Sequence, residues 1–204
     1  MTETTRPPVD DAIEVSGKVD IYKKEEWWRS VVRYRTPGYE GERHALYLWH
    51  KEDGRWRRKQ KYVIDDPETW QRDKEVIGSM VKTAPGNTTT EEFPTSDYLS
   101  VAQGETIYRT DEWWKAVTYI IKKGSYDTRE VSVYLWQHDG GKWRRRQKYT
   151  TKAKRWDDDV RAIERSLQGD GESGWTPTSA GEGSGASHGD GADILDALED
   201  AVEF

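Results

Sequence analysis

Two short stretches of the sequence combine aromatic rings with closely spaced cations. They read RWRRKQKY at 55–62 and KWRRRQKY at 142–149. Flat rings stack on unpaired bases at about 1–3 kcal/mol each, and Arg and Lys side chains neutralise phosphates. Rings and cations on one surface are therefore typical of single-stranded nucleic acid binding, whereas duplex readers present a helix or a ribbon with few stacking rings.

Strand alternation determines which of these side chains share a surface, because successive residues of a strand point to opposite faces. We expect one face of the sheet to take aliphatic residues and a helix, and the other to carry rings, cations and glutamines. For the first stretch the predicted groups are Trp56, Arg58, Gln60 and Tyr62 on one face and Arg57, Lys59 and Lys61 on the other.

The tryptophans could instead belong to the core. This interpretation is favoured for Trp70 and Trp156, which fall on predicted helices, and for Trp28 and Trp114, which stand beside aliphatic residues. For Trp49, Trp56 and their counterparts both interpretations stay open, because their basic neighbours would be costly to bury unpaired. The candidate nucleic-acid-binding residues are Tyr47, Trp49, Trp56, Arg57, Arg58, Lys59, Gln60, Lys61, Tyr62, Tyr134, Trp136, Trp143, Arg144, Arg145, Arg146, Gln147, Lys148 and Tyr149.

The two stretches belong to an internal repeat. IYKKEEWW at 21–28 recurs as IYRTDEWW at 107–114, and YLWHKEDGRWRRKQKY at 47–62 recurs as YLWQHDGGKWRRRQKY at 134–149. Of the 11 tryptophans, all but Trp175 fall into matched pairs. Self-similarity at a fixed offset indicates a duplicated structural unit, here of about 65 residues.

Each unit predicts four strands followed by a helix. Runs of β-branched and aromatic residues, separated by Gly-containing turns, indicate the strands. An Asp cap at 65 or 66 and Pro67 begin the first helix, and an apolar stripe of Trp156, Val160, Ile163 and Leu167 marks the second. The predicted strands are 18–24, 27–35, 44–50 and 55–64 in the first unit and 104–109, 113–121, 130–137 and 142–151 in the second.

The predicted fold class is α+β. It consists of two ββββα repeats, each an antiparallel sheet closed by its own C-terminal helix, packed as a pseudo-dimer because one such unit buries little core. A disordered acidic tail follows. The predicted segments are an N-terminal arm (1–17), repeat 1 (18–82), a linker (83–103), repeat 2 (104–168), a Gly/Ser-rich linker (169–191) and a C-terminal tip (192–204).

These features resemble the single-stranded DNA-binding transcriptional coactivators. The resemblance rests on the ββββα unit, on the aromatic and basic sheet, and on a closing helix that begins with Asp66, Pro67, Glu68 and Trp70. The doubled unit is similar to the whirly proteins, which share that fold. The resemblance implies a pseudo-dimer that binds single-stranded DNA with little sequence preference. The second repeat departs from the helix motif, with AKRW at 153–156 in its place.

Charge is strongly segregated along the chain, although the net charge is only −6. Both repeats carry more basic than acidic residues, whereas 169–204 is acidic and holds no Lys or Arg. A basic domain, a flexible tether and an acidic apolar tip form the layout of bacterial single-stranded DNA-binding proteins, whose tips recruit partners. We expect the tip to bind a protein partner; a solubility tail is the alternative. The predicted partner-binding residues are Ile194, Leu195, Leu198, Val202 and Phe204.

Several classes of protein are disfavoured by the sequence. The chain has no cysteine, its 4 histidines form no ligand cluster, and no phosphate-binding or nucleophile motif occurs. We therefore expect no catalytic residues, no metal and no cofactor, and a protein that is not an enzyme. No apolar run approaches the ~20 residues of a membrane helix. Because we recognise no secretory signal, the predicted location is cytoplasmic. The acidic ends are compatible with the high-salt cytoplasm of a halophile.

The sequence thus predicts a single-stranded DNA-binding protein of low sequence specificity, acting in replication, repair or transcription. Single-stranded RNA binding and regulation at melted promoters are alternatives of the same class. A protein–protein scaffold and, less favoured, a carbohydrate-binding module are alternatives of other classes. The oligomeric state stays open, with a homo-oligomer as one alternative.

Overall fold

A computed structural model describes residues 6–83, 91–122 and 128–169. Ten elements follow one another in the order ββββα, ββββα. The first five are β1 (Glu14–Lys23), β2 (Trp27–Arg35), β3 (Arg43–Glu52), β4 (Arg55–Ile64) and α1 (Pro67–Lys82). The second five are β5 (Leu99–Arg109), β6 (Trp113–Lys122), β7 (Thr128–Asp139), β8 (Lys142–Thr151) and α2 (Ala153–Leu167).

All eight strands of the described residues form one open antiparallel sheet. Its strand order is β1-β2-β3-β4-β8-β7-β6-β5, so the two repeats meet at their fourth strands. The junction is a single residue pair, in which Lys61 of β4 stands opposite Lys148 of β8. The α+β class is confirmed, but the prediction of two separate sheets, each closed by its own helix, is wrong. Edge pairing of the two fourth strands has no signature in either strand's own sequence.

The helices lie on one face of this sheet, and each crosses toward the other repeat. Helix α2 packs on β1, β2 and β3, and helix α1 packs on β6 and β7 as well as on its own β4. Where the helices cross, the Trp70 and Trp156 rings lie 6.0 Å apart. Gly78 permits this approach, because a Cβ there would stand 3.3 Å from the Trp156 indole nitrogen.

The main core fills the space between the helices and the sheet. It includes Trp70 and Ile77 from α1, Trp156 and Ile163 from α2, and alternate residues of the strands. The predicted core role of Trp70, Trp156, Trp28 and Trp114 is confirmed, since each is at most 4% exposed. Burial of such aromatic side chains is the largest stabilising contribution that a fold of this size has available.

Local chemistry explains the element boundaries. The Asp66 carboxylate accepts the Thr69 backbone N–H at 2.8 Å and caps α1, as predicted. The β3–β4 hairpin turns at Asp53 and Gly54, which both have positive φ, and this geometry is the one that matches strand twist. The second strands, fourth strands and the apolar stripe of α2 lie where the sequence predicts them.

Two strands begin well before their predicted first residues. Strand β1 already begins at Glu14, inside the predicted arm, and β5 begins at Leu99, inside the predicted linker. Both extra segments pair with the neighbouring strand through a β-bulge, which a simple alternation pattern does not reveal. Neither α1 nor α2, the helices of the described residues, is long and apolar enough to cross a membrane.

Candidate nucleic-acid interface

A β-bulge divides the predicted site between the two faces of the sheet. Leu48 pairs with Gln60 and Trp49 pairs with Arg58, so Lys59 is an extra residue in β4. The second repeat has the same irregularity, at Arg146 of β8. Because one extra residue inverts every side chain beyond it, the predicted grouping of Trp56 and Arg58 with Gln60 and Tyr62 is wrong. The face without helices, called the outer face below, carries Tyr47, Trp49, Trp56, Arg58, Lys61, Tyr134, Trp136, Trp143, Arg145 and Lys148.

The tyrosines under the helices serve the fold. Tyr62 and Tyr149 are stacked on one another at 4.9 Å and fully buried in the main core. Their hydroxyls donate to Asp73 at 2.5 Å and to Asp159 at 2.7 Å. Burial, together with the neighbouring carboxylates, raises the pKa of both phenols well above the usual value. Both rings are therefore inaccessible to a base.

The glutamines complete the junction between the repeats. The Gln147 side-chain oxygen accepts the Val63 backbone N–H at 3.2 Å, and the Gln60 oxygen accepts that of Thr150 at 3.1 Å. Since β4 and β8 share a single ladder pair, these two bonds replace backbone acceptors that neighbouring strands would otherwise supply. These two hydrogen bonds account for the presence of both glutamines without any contact to a ligand.

The bulged residues and their neighbours also point away from the outer face. Lys59 forms an ion pair with Glu52 at 2.9 Å, and Arg146 donates to the Gln137 side chain at 2.9 Å. Arg57 and Arg144 pair in register with His50 and Gln137, on the helix-bearing face, and are exposed. These cations lie outside the surface that the rings share.

On the outer face, the rings predicted to stack on bases are themselves buried. Tyr47 stacks on Trp49 at 4.9 Å and Tyr134 stacks on Trp136 at 5.0 Å, and all four rings are at most 3% exposed. They form the centres of two lateral clusters. The members of the first are Val15, Trp28, Val32, Tyr34, Ala45, Tyr47, Trp49 and Val63; those of the second are Phe93, Trp114, Ala116, Ile120, Tyr134 and Trp136.

Segments outside the regular elements cover these clusters. In repeat 1, Val9 and Ile13 of the N-terminal segment pack on the first cluster. In repeat 2, Phe93 of the linker takes that place, with its ring 5.4 Å from that of Trp114. Phe93 lies directly over Gly104, where a Cβ would approach its ring to 2.2 Å. The sequence did not predict this role, although an apolar residue within each polar segment is a signal for it.

Between the lateral clusters, β4 and β8 form a basic strip along the centre of the outer face. Lys61 and Lys148 stand opposite each other, and Arg58 and Arg145 follow on the same face. Their positive charges thus collect around the pseudo-twofold axis that relates the repeats. We call these four residues the central strip.

Partly exposed indoles bound the central strip at both ends. Trp56 packs edge-on against Trp28 at 5.8 Å, and Trp143 packs edge-on against Trp114 at 5.6 Å, so each leaves part of its ring accessible. Because β4 and β8 are antiparallel, the two indoles lie at opposite ends. Counting residues along both strands at about 3.3 Å each places them roughly 30 Å apart.

Close cation–π contacts at two matching positions of the outer face were not predicted. The Lys23 ammonium lies 4.1 Å from the Trp28 ring centre, and the Arg109 guanidinium lies 4.0 Å from that of Trp114. They occupy matching positions at the ends of β1 and β5. Their recurrence at the same place shortly before each Trp-Trp pair in the repeat could have indicated cation–π contacts.

The predicted tail residues, from Ile194 to Phe204, lie outside the described residues, as does most of the predicted Gly/Ser-rich linker. Among the residues that the structure does describe, no group of three or more His, Asp or Glu side chains could hold a metal ion. Comparison with known families finds no family model that matches the chain. No curated protein matches it either.

Proposed function

We propose that this protein binds single-stranded DNA with little sequence preference, along the central strip of the outer face. The strand would run between Trp56 and Trp143, with its phosphates on the cations of the strip and bases against the two indoles. Sequence-independent binding of this kind combines a basic track with a few stacking platforms.

The observation that carries the proposal is the pairing of Lys61 with Lys148. Like charges directly opposite each other destabilise a sheet, and here Arg58 and Arg145 add to the same field. Hydrogen bonds of Gln60 and Gln147 on the helix-bearing face close the junction beneath these cations. A polyanion laid along the strip would turn this repulsion into attraction.

The burial of the other rings changes the expected balance of forces. With Tyr47, Trp49 and their counterparts inside the clusters, stacking is limited to the two terminal indoles. Phosphate contacts therefore supply most of the affinity in this proposal, and binding should weaken steeply with salt. The predicted site included Tyr47, Trp49 and their counterparts as binding residues, and therefore implied a larger share of the affinity for stacking.

The family resemblance and the tail fit this proposal as further hypotheses. A whirly-like or coactivator-like ancestry would account for a duplicated ββββα unit with a basic sheet. The acidic tip, Ile194 to Phe204, would recruit a protein partner or compete with DNA for the basic face.

The test compares two double variants whose substituted positions are sequence neighbours on the same strands but lie on opposite faces of the sheet. Arg58→Thr with Arg145→Thr removes two cations from the central strip, and Arg57→Thr with Arg144→Thr removes two from the opposite face. Thr keeps strand propensity in both cases. Binding of a labelled single strand of about 30 nucleotides is followed by fluorescence anisotropy at several salt concentrations, because a single-strand site of this kind covers roughly 4–16 nucleotides per domain.

We expect the outer-face variant to lower the slope of log affinity against log salt by about 1.4, since each single-strand phosphate contact contributes about 0.7. The opposite-face variant should keep the wild-type slope. Equal losses in the two variants, or equal affinity for the matching duplex, would overturn the proposal. A matching RNA strand in the same assay separates DNA from RNA binding.

A further inference from the structure

A cavity of about 470 Å³ lies on the helix-bearing face, away from the central strip. It opens where the N-terminus of α2 crosses the ends of β1 and β2. Its lining combines the Trp27 ring with cations, which are Lys24 of the β1–β2 turn, Arg29 of β2, and Lys154 and Arg155 of α2. This volume falls in the range of cavities that hold small molecules.

The first turn of α2 is built in a way that favours an anion. No side chain caps its N-terminus, its N-cap residue is Lys152, and its first turn contains no acidic residue. Unpaired backbone N–H groups and the helix dipole give such an end a partial positive charge. Lys154 and Arg155 add two full charges at the same place, which is unfavourable unless an anion is present.

An independent observation that points to a ligand comes from Arg29, which also lines the cavity. Its side chain is 1% exposed, and its Nε and Nη2 atoms donate to Asp159 at 2.8 and 2.7 Å. The third nitrogen, Nη1, is buried and has no hydrogen-bond acceptor among the described residues. Buried donors are almost always satisfied, so an acceptor oxygen is expected here.

The acidic residues of the lining do not cancel this charge. Asp159 already accepts from Arg29, Tyr149 and Thr151. Asp158 is bound by Arg161 of the next turn. Both carboxylates are therefore engaged by other groups.

The matching helix end in the first repeat lacks these features. Helix α1 begins with Pro67, which has no N–H, carries Glu68 in its first turn, and is capped by the Asp66 carboxylate. Its N-terminus is thus satisfied within the chain. The replacement of Pro67, Glu68 and Thr69 by Ala153, Lys154 and Arg155 converts a closed helix end into an open, basic one.

We propose that this cavity binds the phosphate of a nucleotide, with phosphate oxygens at the N-terminus of α2 and on Lys154 and Arg155. The base would pack against Trp27, which is 36% exposed and already 4.2 Å from the His50 ring. A phosphomonoester suits the site because its dianion matches the density of cations. It can come from a free mononucleotide or from the phosphorylated end of a strand. This site does not rest on the proposed function, since it lies on the other face of the sheet.

The test uses the full chain and deoxyadenosine monophosphate as the probe, in calorimetric titrations. Lys154→Ala with Arg155→Ala removes two exposed cations of the site. The matched control, Lys82→Ala with Arg165→Ala, removes two exposed cations from the last turns of α1 and α2. Ala favours helix in all four positions, so folding should be kept.

We expect the site variant to bind the nucleotide about tenfold or more weakly, as the loss of charge-assisted hydrogen bonds requires, and the control to stay within about twofold of wild type. Deoxyadenosine without phosphate should bind at least about tenfold more weakly than the nucleotide. Backbone amide signals of Ala153 and Lys154 should shift on titration. No saturable binding, or equal binding by both variants, would overturn the proposal.

Two further measurements distinguish a free nucleotide from a phosphorylated strand end, and the nucleotide site from the proposed single-strand site. A 5′-phosphorylated oligonucleotide that binds more tightly than its 5′-hydroxyl form and displaces the nucleotide indicates a strand end; unchanged strand affinity beside nucleotide binding indicates a free nucleotide. The Arg58→Thr, Arg145→Thr variant should keep wild-type nucleotide affinity. Failure of single-strand binding on the outer face would leave this result untouched.

Discussion

The two helices are anchored to the opposite repeat by buried ion pairs at matching positions. The pairs differ in how many oxygens of the aspartate accept hydrogen bonds. Asp159 of α2 receives both Arg29 donors, the Tyr149 hydroxyl and the Thr151 hydroxyl. Asp73 of α1 receives Lys115 and Tyr62 on a single oxygen, Oδ2. Its Oδ1 atom is buried and has no hydrogen-bond partner among the described residues.

The difference follows from the donor geometry of the two cations. A guanidinium presents two parallel N–H groups to both oxygens of a carboxylate, whereas an ammonium is a compact point charge. Burial by itself would lower the pKa of Arg29, but the hydrogen bonds and charge of Asp159 raise it overall. Duplication therefore produced two equivalent crossings. At α2 both carboxylate oxygens of the aspartate accept hydrogen bonds, whereas at α1 only one does.

The largest expected effect comes from removing the carboxylate charges. Asp159→Asn leaves a guanidinium buried without a counter-charge, and breaking a buried pair in this way costs about 3–5 kcal/mol of unfolding free energy. Asp73→Asn should fall toward the lower end of that range, because only one oxygen of the Asp73 carboxylate is engaged. Urea unfolding of both variants measures the difference. A greater loss in Asp73→Asn would contradict the ranking of the two crossings.

Exchanging the cations should give a smaller effect and sharpen the comparison. Arg29→Lys makes the α2 crossing resemble that of α1, and the lost charge-assisted hydrogen bond should cost about 1.5–3 kcal/mol. The reverse change, Lys115→Arg, offers a donor to the Asp73 Oδ1 atom and should stabilise the fold by about 1 kcal/mol. Thermal and urea unfolding of the two single variants provide the measurement. If both changes are neutral, the number of donors on each aspartate does not determine anchoring strength.

The smallest expected effect concerns the opposite end of α2. His44 of β3 contacts the Ser166 hydroxyl with its Nδ1 atom at 2.9 Å, whereas the matching residue of β7 is the buried Val131. Burial, and then the charge of Arg33, lowers the pKa of His44 below 6.5. The unfolded chain therefore binds a proton more readily, so stability should fall as the pH drops from about 6.5 toward the lowered pKa.

His44→Val would make the first repeat resemble the second at this position. We expect its unfolding free energy to change less with pH below about 6.5 than that of the wild type, whatever its value at neutral pH. Urea midpoints at several pH values would show this. An unchanged pH profile would mean that His44 is not the group responsible.

Much of the secondary structure could be predicted from the sequence, since it depends on neighbours along the chain. Asp66 and Pro67 mark the start of α1, and the Gly-containing turns mark the hairpins, through local backbone preferences. The site was harder to predict. Alternation assigned Trp56 and Arg58 correctly to one surface, but it failed beyond Lys59, because a bulge changes the register without changing the composition.

The sequence by itself determined the duplication, the ββββα order of each unit, and the segregation of basic strands from acidic ends. Each of these depends on residue types and spacings within one unit. The tertiary structure alone decided that β4 joins β8, that each helix crosses to the other repeat, and that Tyr47, Trp49 and their counterparts are buried. The first two outcomes depend on contacts between residues more than 80 positions apart, such as Gln60 with Thr150 and Arg29 with Asp159. The third depends on the segments that cover the two lateral clusters. No local pattern encodes such pairings.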